Sequence, residues 1–315
     1  MTEILARREL GRTGLRVTPV CVGTSPFSMP RLYGYPVDHA RAVETVLAAF
    51  DGPINFLDTA NGYGDGGSEL IIGEAIRARG GVPDGFVLAT KVDPDRATRD
   101  FSGDRVRKSV DESFTRLGLN HVPVLYYHDP ERITFEEGMA KDGPVAALIA
   151  LRDQGVTECI GVAGGPMDVM TRYVETGIFD VVISHNRYTL LDRSAEHLFG
   201  LATKRGMGVV NAAPYGGGLL AKGDDARVSY AYGLGHASIP EIATKMRAAC
   251  EGHNVPLAAA ALQFSTRDPR VHSTIVGMTA PERIRQTIDL LDVAIPDELW
   301  EELRRLAPGP ELWIG

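Results

Sequence analysis

The chain repeats a short apolar run followed by a longer amphipathic stretch, eight times over its 315 residues. The apolar runs are continuous rather than alternating, which is typical of parallel strands covered on both faces. They span residues 17–24, 55–59, 85–92, 122–129, 159–164, 180–187, 208–214 and 271–278. Strands that alternate with helices indicate crossover connections and a parallel sheet. Eight strands with eight helices favour an α/β fold of the (β/α)8 barrel (TIM barrel) type over a doubly wound open sheet.

Two of the intervening segments show where their helices begin and end. We predict a helix over residues 104–117, with Asp104 as its N-cap and Gly118 as the residue that ends it. Near the carboxyl end, Thr279 and Glu282 have the spacing of a capping box, in which each side chain bonds the other residue's backbone N–H. This spacing predicts the start of the last barrel helix.

Two segments outside the repeat are also informative. Residues 8–16 place glycine turn chemistry between two short strand candidates, which predicts a hairpin before the first run. Residues 219–238 are rich in Gly, Ala and Tyr, show no clear period and follow the seventh run. Long loops in compact domains are usually functional, so we expect a flap over substrate or cofactor. The whole chain, residues 1–315, is expected to form one barrel domain.

Charge and cysteine content narrow the class of protein. The net charge of −8 and a pI near 5.5 argue against a nucleic-acid partner, because phosphate binding needs clustered Lys and Arg. Cys21, Cys159 and Cys250 lie far apart among apolar neighbours, so we expect buried thiols in a reducing compartment. No signal-peptide core opens the chain, and no apolar run approaches the roughly 18 residues of a membrane helix. We therefore expect a cytoplasmic protein with no membrane partner.

Four polar side chains stand where successive apolar runs end, and they are the candidate catalytic residues. Asp58 and Tyr63 are five residues apart at the end of the second run. Lys91 lies at the end of the third run and His128 at the end of the fourth. The carboxyl ends of the strands of a parallel barrel meet at one mouth, where barrels keep their chemistry. We therefore expect these side chains to converge.

The four groups suit the movement of one proton to or from a carbonyl oxygen. A tyrosine ionises near pH 10, so Tyr63 needs a neighbour that stabilises its phenolate. Lys91 can lie beside it, and Asp58 can keep that amine charged and oriented. His128 adds a donor that can orient a carbonyl or hydroxyl oxygen. Taken singly, each residue could equally be structural, as a buried ion pair, a loop aromatic or a core histidine.

The same residues lie in short strings that resemble those of the aldo-keto reductase family. The strings are Leu57-Asp58-Thr59-Ala60, Gly62-Tyr63-Gly64, Ser68-Glu69, Thr90-Lys91 and His128-Asp129-Pro130. The resemblance implies a barrel whose floor is capped by the amino-terminal hairpin. It also implies that Tyr63 donates or accepts the proton and that Lys91 tunes it. Asp58 would support Lys91, and His128 would orient the substrate.

Hydride transfer requires a nicotinamide or a flavin, because no side chain supplies a hydride. The sequence has no Gly-x-Gly-x-x-Gly fingerprint that opens a helix after a strand. Barrels offer instead a phosphate site in the loops after the seventh and eighth strands, facing a helix amino terminus. With the family resemblance, this implies a set of cofactor contacts and no metal site. The set is Thr24, Gly164, His185, Asn186, Pro214, Tyr215, Gly216, Gly218, Gly277, Thr279, Arg283, Gln286 and Thr287.

The chain departs from the family's common pattern at several positions that bear on the cofactor. Ala163-Gly164 stands where Ser-Asn is usual, and His185 stands where Gln is usual. Ala212 replaces the aromatic residue that stacks on nicotinamide in many members, so Tyr215 or another aromatic must cover the ring. Gly277 replaces the Lys, and Gln286-Thr287 the Glu-Asn, of many members that prefer NADP. Losing that cation removes a charge-assisted contact to the 2′-phosphate, so we expect NAD to be accepted, with NADP not excluded.

Residues 184–193 and 211–218 resemble the sugar-oxidising branch of the family, such as L-fucose, D-threo-aldose and L-galactose dehydrogenases. This implies oxidation of the anomeric hydroxyl of a free aldose to the lactone, with Tyr63 as general acid/base. Pyridoxal 4-dehydrogenase is similar in the same segments, and a general NADPH-dependent aldehyde reductase would share the four catalytic candidates. The alternative outside the enzymes is a dinucleotide-sensing regulatory subunit of an ion channel. A small-molecule substrate is expected, and the oligomeric state cannot be read from this sequence.

Overall fold

The structure, a computed structural model, describes residues 3–222 and 230–315. Strands β1 (Arg8–Glu9) and β2 (Arg16–Val17) pair antiparallel as a hairpin. The barrel strands are β3 (Val20–Gly23), β4 (Phe56–Asp58), β5 (Val87–Val92), β6 (Val122–His128), β7 (Thr157–Gly164), β8 (Val181–His185), β9 (Gly208–Ala212) and β10 (Ser273–Gly277). All eight are parallel to their neighbours, and β10 pairs with both β9 and β3, which closes the ring. The predicted (β/α)8 barrel is confirmed.

Helices follow every barrel strand and form the outer layer. In the described part of the chain they are α1 (Pro30–Tyr33), α2 (His39–Phe50), α3 (Gly67–Arg79), α4 (Gly103–Leu117), α5 (Phe135–Gly138), α6 (Pro144–Asp153), α7 (Met167–Glu175), α8 (Glu196–Lys204), α9 (Leu219–Lys222), α10 (Ile239–Gly252), α11 (Leu257–Thr266), α12 (Pro281–Leu291) and α13 (Asp297–Leu306). The eight predicted helices correspond to α2, α3, α4, α6, α7, α8, α11 and α12. The other five, α1, α5, α9, α10 and α13, are additional, and α10 packs against α13 in an apolar cluster that includes Met246 and Leu303.

The hydrogen-bonded strands are shorter than the apolar runs that predicted them. Val17 belongs to the hairpin rather than to β3, because it pairs with Arg8. Val271 is fully buried but lies before the first residue of β10. An apolar run indicates which residues are buried, whereas a strand also requires a neighbouring backbone to hydrogen-bond with. A run and its strand can therefore begin and end at different residues.

The predicted hairpin covers the amino-terminal end of the barrel. Leu10, in its turn, and Val17 are fully buried in one cluster with the inward-facing strand residues, among them Phe56 and Val210. The backbone N–H of Arg12 donates to the carbonyl oxygen of Gly206 at 2.9 Å. Apolar side chains thus seal this end of the barrel, and the opposite end is left for chemistry.

The start of α4 differs from the prediction. Ser102, not Asp104, is the N-cap, and its hydroxyl accepts from the backbone N–H of Arg105 at 3.3 Å. Both residue types cap helices well, but only Ser102 has the extended backbone of a cap, and Asp104 already lies in the first turn. The predicted end is confirmed, because Gly118 adopts a left-handed φ of 72° and its N–H donates to Phe114 O.

The capping box predicted at α12 is wrong. The N-cap is Ala280, and no side chain caps this helix. The carboxylate of Glu282 instead pairs with Arg41 of the neighbouring helix α2 at 2.5 Å. A tertiary ion pair has therefore replaced the local contact that the spacing indicated.

Cys21, Cys159 and Cys250 are buried free thiols, as predicted. Over residues 3–222 and 230–315, no helix combines the length and the apolar composition needed to cross a bilayer. The predicted flap, residues 219–238, begins with α9 and contains a short 3-10 turn at Tyr230–Gly233. Its residues 223–229 lie outside the described residues.

Candidate active site

The carboxyl end of the barrel brings an ammonium, a carboxylate and a phenol into direct contact. Lys91 on β5 is buried, and its Nζ donates to Asp58 Oδ1 at 2.5 Å and to the Tyr63 hydroxyl at 3.0 Å. The third contact of Nζ is with the carbonyl oxygen of Thr59 at 2.7 Å. An ammonium carries three donors, so every one of them has a partner. The positive charge is thereby fixed beside the phenol.

Tyr63 lies in the turn that follows β4, and this turn is anchored on both sides. The carbonyl oxygen of Tyr63 accepts from the Ser28 hydroxyl at 3.0 Å. The backbone N–H of Asn61 donates to the Lys91 carbonyl oxygen at 3.1 Å. The side-chain amide of Asn61 donates to the Ser109 carbonyl oxygen on α4, also at 3.1 Å. These bonds hold the loop that carries the phenol.

His128 ends β6, and its ring meets the Tyr63 ring edge to face with centroids 5.7 Å apart. Its Nδ1 lies 2.9 Å from Oδ1 of Asp93, within hydrogen-bond range. Its Nε2 lies 3.6 Å from Oδ1 of Asp129, which is too far for a hydrogen bond. Asp93 was not among the residues predicted from the sequence. The signal was its spacing from Lys91, because side chains two residues apart on a strand share a face.

The electrostatic field at Tyr63 keeps its phenol protonated. Burial raises the pKa of Tyr63 well above its ordinary value, and the charges of Asp58, Asp129 and Asp93 raise it further. The sequence led us to expect Lys91 to stabilise the phenolate. The amine is in place, but burial and three carboxylates outweigh it. At neutral pH the phenol is therefore a proton donor.

The two histidines of the site have different charge preferences. Burial opposes protonation of His128, but the carboxylates of Asp129 and Asp93 outweigh burial and raise its pKa. Burial lowers the pKa of His185 to about 4, so His185 is neutral at physiological pH. Asn186 Nδ2 lies 3.3 Å from Nδ1 of His185. One ring thus favours the imidazolium form, and the other offers a neutral hydrogen-bonding group.

The catalytic candidates lie in a cleft of about 1850 Å³. Asp58, Tyr63, Lys91 and His128 all line it. The predicted cofactor residues that also line it are Thr24, Gly164, His185, Pro214, Tyr215, Gly218, Gly277, Thr279, Arg283, Gln286 and Thr287. The other two, Asn186 and Gly216, are buried and do not line it.

The cleft wall fits a nicotinamide dinucleotide. Gly216, Gly217 and Gly218 have φ angles of 56°, 73° and 110°, a succession that only glycine adopts without strain. The backbone N–H groups of Gly216 and Gly218 donate to the carbonyl oxygens of Ala213 and Tyr215, both at 3.0 Å, which fixes the turn. Helix α12 begins beside the same wall, and Arg283 donates to Gln286 Oε1 at 3.0 Å where both line the cleft. A glycine backbone that a bound group can approach closely, a helix amino terminus and a guanidinium are thus available to phosphates.

Aromatic side chains reach the cleft from loops, since Ala212 leaves none at the end of β9. Tyr33 and Tyr232 both line the cleft and meet edge to face with ring centroids 6.1 Å apart. The Tyr232 hydroxyl also contacts the side chain of Asn186. Tyr215, anticipated from the sequence, lines the cleft as well. Tyr232 was not anticipated, because its segment has no hydrophobic period that would have placed it.

The Aldo/keto reductase family model matches residues 19–308 of the chain. A D-threo-aldose 1-dehydrogenase from a Pseudomonas species is 33% identical, over 87% of this chain and 90% of the relative. An L-galactose dehydrogenase from Arabidopsis thaliana is also 33% identical, over 91% and 88%. A pyridoxal 4-dehydrogenase from Microbacterium luteolum is 32% identical, over 95% and 96%.

A solved structure supports the fold independently. The holo form of an aldo-keto reductase from Bacillus halodurans superimposes with a TM-score of 0.79 at 22% identity, covering 96% of this chain and 97% of the other. At that identity the likeness shows the barrel fold alone. Because the family model and the relatives extend over most of the sequence, this chain belongs to the aldo-keto reductase family.

Proposed function

We propose that this chain is an NAD(P)-dependent dehydrogenase that oxidises the anomeric hydroxyl of a free aldose to the lactone. The observation that carries the proposal is the 3.0 Å contact between Lys91 Nζ and the Tyr63 hydroxyl in the cleft. A phenol beside a fixed ammonium suits proton exchange with an oxygen whose carbon gives up a hydride. The similarity to a D-threo-aldose 1-dehydrogenase supports an aldose as the substrate.

The nicotinamide, when bound, supplies the hydride acceptor. We assign the pyrophosphate to the glycine turn 216–218 and the start of α12, and the adenosine end to Arg283 and Gln286. Gly277 offers no cation to a 2′-phosphate. NAD is therefore the preferred cofactor in this proposal, and NADP the weaker one.

Tyr63 exchanges the proton at the reacting oxygen. In the oxidation direction it must accept a proton, and its raised pKa keeps most of the phenol protonated at neutral pH. Oxidation should therefore become faster as the pH rises. In the reduction direction the protonated phenol donates, so that rate should fall over the same range. His128, whose Nε2 has no hydrogen bond, donates to the same oxygen.

The walls of the cleft suit a small, polar ring. One wall carries Tyr33 and Tyr232, whose ring faces can pack against the C–H face of a sugar. The cleft is also lined by Asp129 and Arg132, paired at 2.6 Å, which present charged acceptors and donors to hydroxyl groups and form its polar wall. A substrate with one apolar face and several hydroxyls matches both walls.

Pyridoxal is the second candidate substrate. The chain is similar to a pyridoxal 4-dehydrogenase over 95% of its length. A pyridine ring could stack on the same tyrosines, and its hydroxyl groups could bond the same polar wall. The four catalytic side chains serve either substrate, so selectivity between an aldose and pyridoxal depends on the residues that line the cleft.

One substrate scan tests the proposal. The purified enzyme is mixed with L-fucose, D-arabinose, L-galactose or pyridoxal, each with NAD or NADP, at neutral and at alkaline pH. Reduced nicotinamide is followed by absorbance, and the sugar product is identified as a lactone by NMR. We expect an aldose to react faster with NAD than with NADP, and faster at alkaline pH.

The other outcomes are equally informative. Turnover of pyridoxal alone would select the second candidate. Reduction of simple aldehydes by NADPH without oxidation of any sugar would identify a general aldehyde reductase. Tight cofactor binding with no turnover of any substrate would favour the regulatory-subunit alternative and contradict the proposal.

A further inference from the structure

The carboxylate of Asp93 joins two parts of the site that belong to different elements. Its Oδ1 lies 2.9 Å from Nδ1 of His128 at the end of β6. Its Oδ2 accepts from the backbone N–H of Gly62 at 2.6 Å, in the turn that carries Tyr63. The residue directly follows β5, where Val92 pairs with Tyr127, so Asp93 and His128 are the next neighbours along the two strands.

The backbone of Asp93 is held from behind by α4. Its N–H donates to the Ser109 hydroxyl at 3.1 Å, and its carbonyl oxygen accepts from Arg105 Nε at 3.1 Å. Arg105 is itself fixed by a pair of hydrogen bonds to Glu112 at 2.8 and 2.9 Å. With both backbone groups bonded, the carboxylate has a set position when it meets the histidine.

The turn is built to admit this carboxylate. A Cβ added at Gly62 would lie 2.8 Å from the carboxyl carbon of Asp93 and from both of its oxygens. Any other residue at position 62 would therefore displace the acid. The close approach accounts for the glycine, and it shows that turn and acid are packed as one unit.

We infer that Asp93 is a positioning residue for the proposed reaction, holding the His128 imidazolium by Nδ1 so that Nε2–H is left to meet the substrate oxygen. The inference rests on the proposed function for the identity of that oxygen. By bonding Gly62 as well, Asp93 also sets the distance between the His128 ring and the Tyr63 hydroxyl. Such a partner fixes the ring's orientation and its protonated nitrogen at once.

Other titratable groups also act on the His128 ring. They are Lys91 from β5, Asp58 from β4, Asp129 and Glu131 after β6, Tyr63 from the turn and His185 from β8. Arg132 faces Asp129, with which it forms an ion pair. Asp129 raises the pKa of His128 as Asp93 does, whereas Lys91 lowers it. Asp93 differs from Asp129 because it alone is within hydrogen-bond distance of the ring.

The test compares Asp93→Asn with Asp100→Asn. Both changes remove one carboxylate from the loop between β5 and α4, but Asp100 is outside the cleft and bonds the backbone N–H of Ser102. The pKa of His128 is measured by NMR titration of the cofactor-free protein, and kcat is measured against pH with the best substrate of the scan. In Asp93→Asn we expect the pKa of His128 to fall and kcat at neutral pH to drop about tenfold to a hundredfold.

The direction of the pH effect separates positioning from general damage. A lower pKa leaves less imidazolium at neutral pH. The activity of Asp93→Asn as a fraction of the wild-type activity at the same pH should therefore rise toward one as the pH is lowered, whereas Asp100→Asn should match the wild type at every pH. An unchanged His128 pKa, or a lower pKa without a moved pH profile, would overturn the inference. If Asp93→Asn does not fold, NMR of the wild type decides. A hydrogen bond from Nδ1–H to Asp93 requires that the neutral His128 ring be the Nδ1–H tautomer, so the Nε2–H tautomer would overturn the inference. The NMR results do not depend on substrate, so a failed sugar scan would leave them standing.

Discussion

At the scale of single residues, the site depends on one buried cation with a complete set of partners. Burying a charge is costly unless it is paired and hydrogen-bonded. Lys91 is only 2% exposed, yet its three contacts with Asp58, Thr59 and Tyr63 meet that requirement. Substitution of either side-chain partner, Asp58 or Tyr63, would leave a buried donor unpaired, whereas the Thr59 contact is with a backbone carbonyl oxygen.

The first prediction concerns the phenol. Tyr63→Phe removes the proton-exchanging hydroxyl and should lower kcat by about a hundredfold to ten-thousandfold, the usual contribution of a general acid or base. The dissociation constant of the nicotinamide, measured by fluorescence titration, should change little. The hydroxyl bonds Lys91 and is not among the groups to which the cofactor is assigned.

Tyr173→Phe provides the matched control for this change. Tyr173 is a buried phenol on α7 outside the cleft, so its loss should leave kcat unaltered. If Tyr63→Phe turned over substrate at the wild-type rate, the proposed proton path would be wrong.

At the scale of elements, the barrel strands position the catalytic candidates, because their carboxyl ends lie at the same end of the barrel. Asp58 is the last residue of β4 and His128 the last of β6, and Lys91 lies one residue before the end of β5. Parallel pairing keeps these ends side by side, so residues far apart in sequence become neighbours. Helix α4 adds a second support, because it bonds both the Tyr63 turn and Asp93.

The second prediction concerns the start of α4. Ser102→Ala should lower the free energy of unfolding by about 1 kcal/mol, because the Arg105 N–H loses its cap. Asp104→Ala should cost only about 0.3–0.5 kcal/mol, through the helix dipole. Urea denaturation of the two variants measures both values. A larger loss for Asp104→Ala would restore Asp104 as the cap.

At the scale of the whole molecule, the hairpin and the barrel form one packed unit. Leu10 and Val17 are buried in the same cluster as the inward-facing strand residues. The hairpin closes the floor, so the cleft at the other end has one mouth. The hairpin contributes to the stability of the fold at one end of the barrel, and ligands reach the site at the other end.

The third prediction tests this docking with two glycines of one hairpin. Gly11 and Gly14 both have left-handed φ angles, of 57° and 78°. A Cβ at Gly11 would lie 2.3 Å from the backbone nitrogen of Gly208 on the barrel floor, whereas at Gly14 nothing lies within 4 Å. Gly14→Ala should cost about 1 kcal/mol from backbone strain alone.

Gly11→Ala should cost about 3 kcal/mol or more, since strain and a clash with the barrel floor add. Both values are measured by thermal or urea unfolding. Equal losses in the two variants would mean that the hairpin is not docked against β9 as described.

The sequence by itself determined the barrel and the identities of the four catalytic candidates. Continuous apolar runs and polar residues at their ends are local patterns, and the parallel barrel turns such patterns into one site by geometry. The same local reasoning failed where a helix has two possible caps or a side chain has two possible partners. Ser102 and Asp104 are both good caps, and Glu282 could bond its own helix or Arg41.

Only the tertiary structure decided which long-range partner each group takes. Asp93 lies just beyond the end of the apolar run, two residues after Lys91, and its role depends on the neighbouring strand, which brings His128 within 2.9 Å. Tyr232 reaches the cleft from a segment without a period, where Ala212 leaves space. The pKa of Tyr63 moves opposite to the direction expected from Lys91, because burial and three carboxylates act together only in the folded chain. The hydrophobic pattern can be read along the sequence. The charge, burial and contacts of a site depend instead on residues that are distant in sequence and close together in the folded chain.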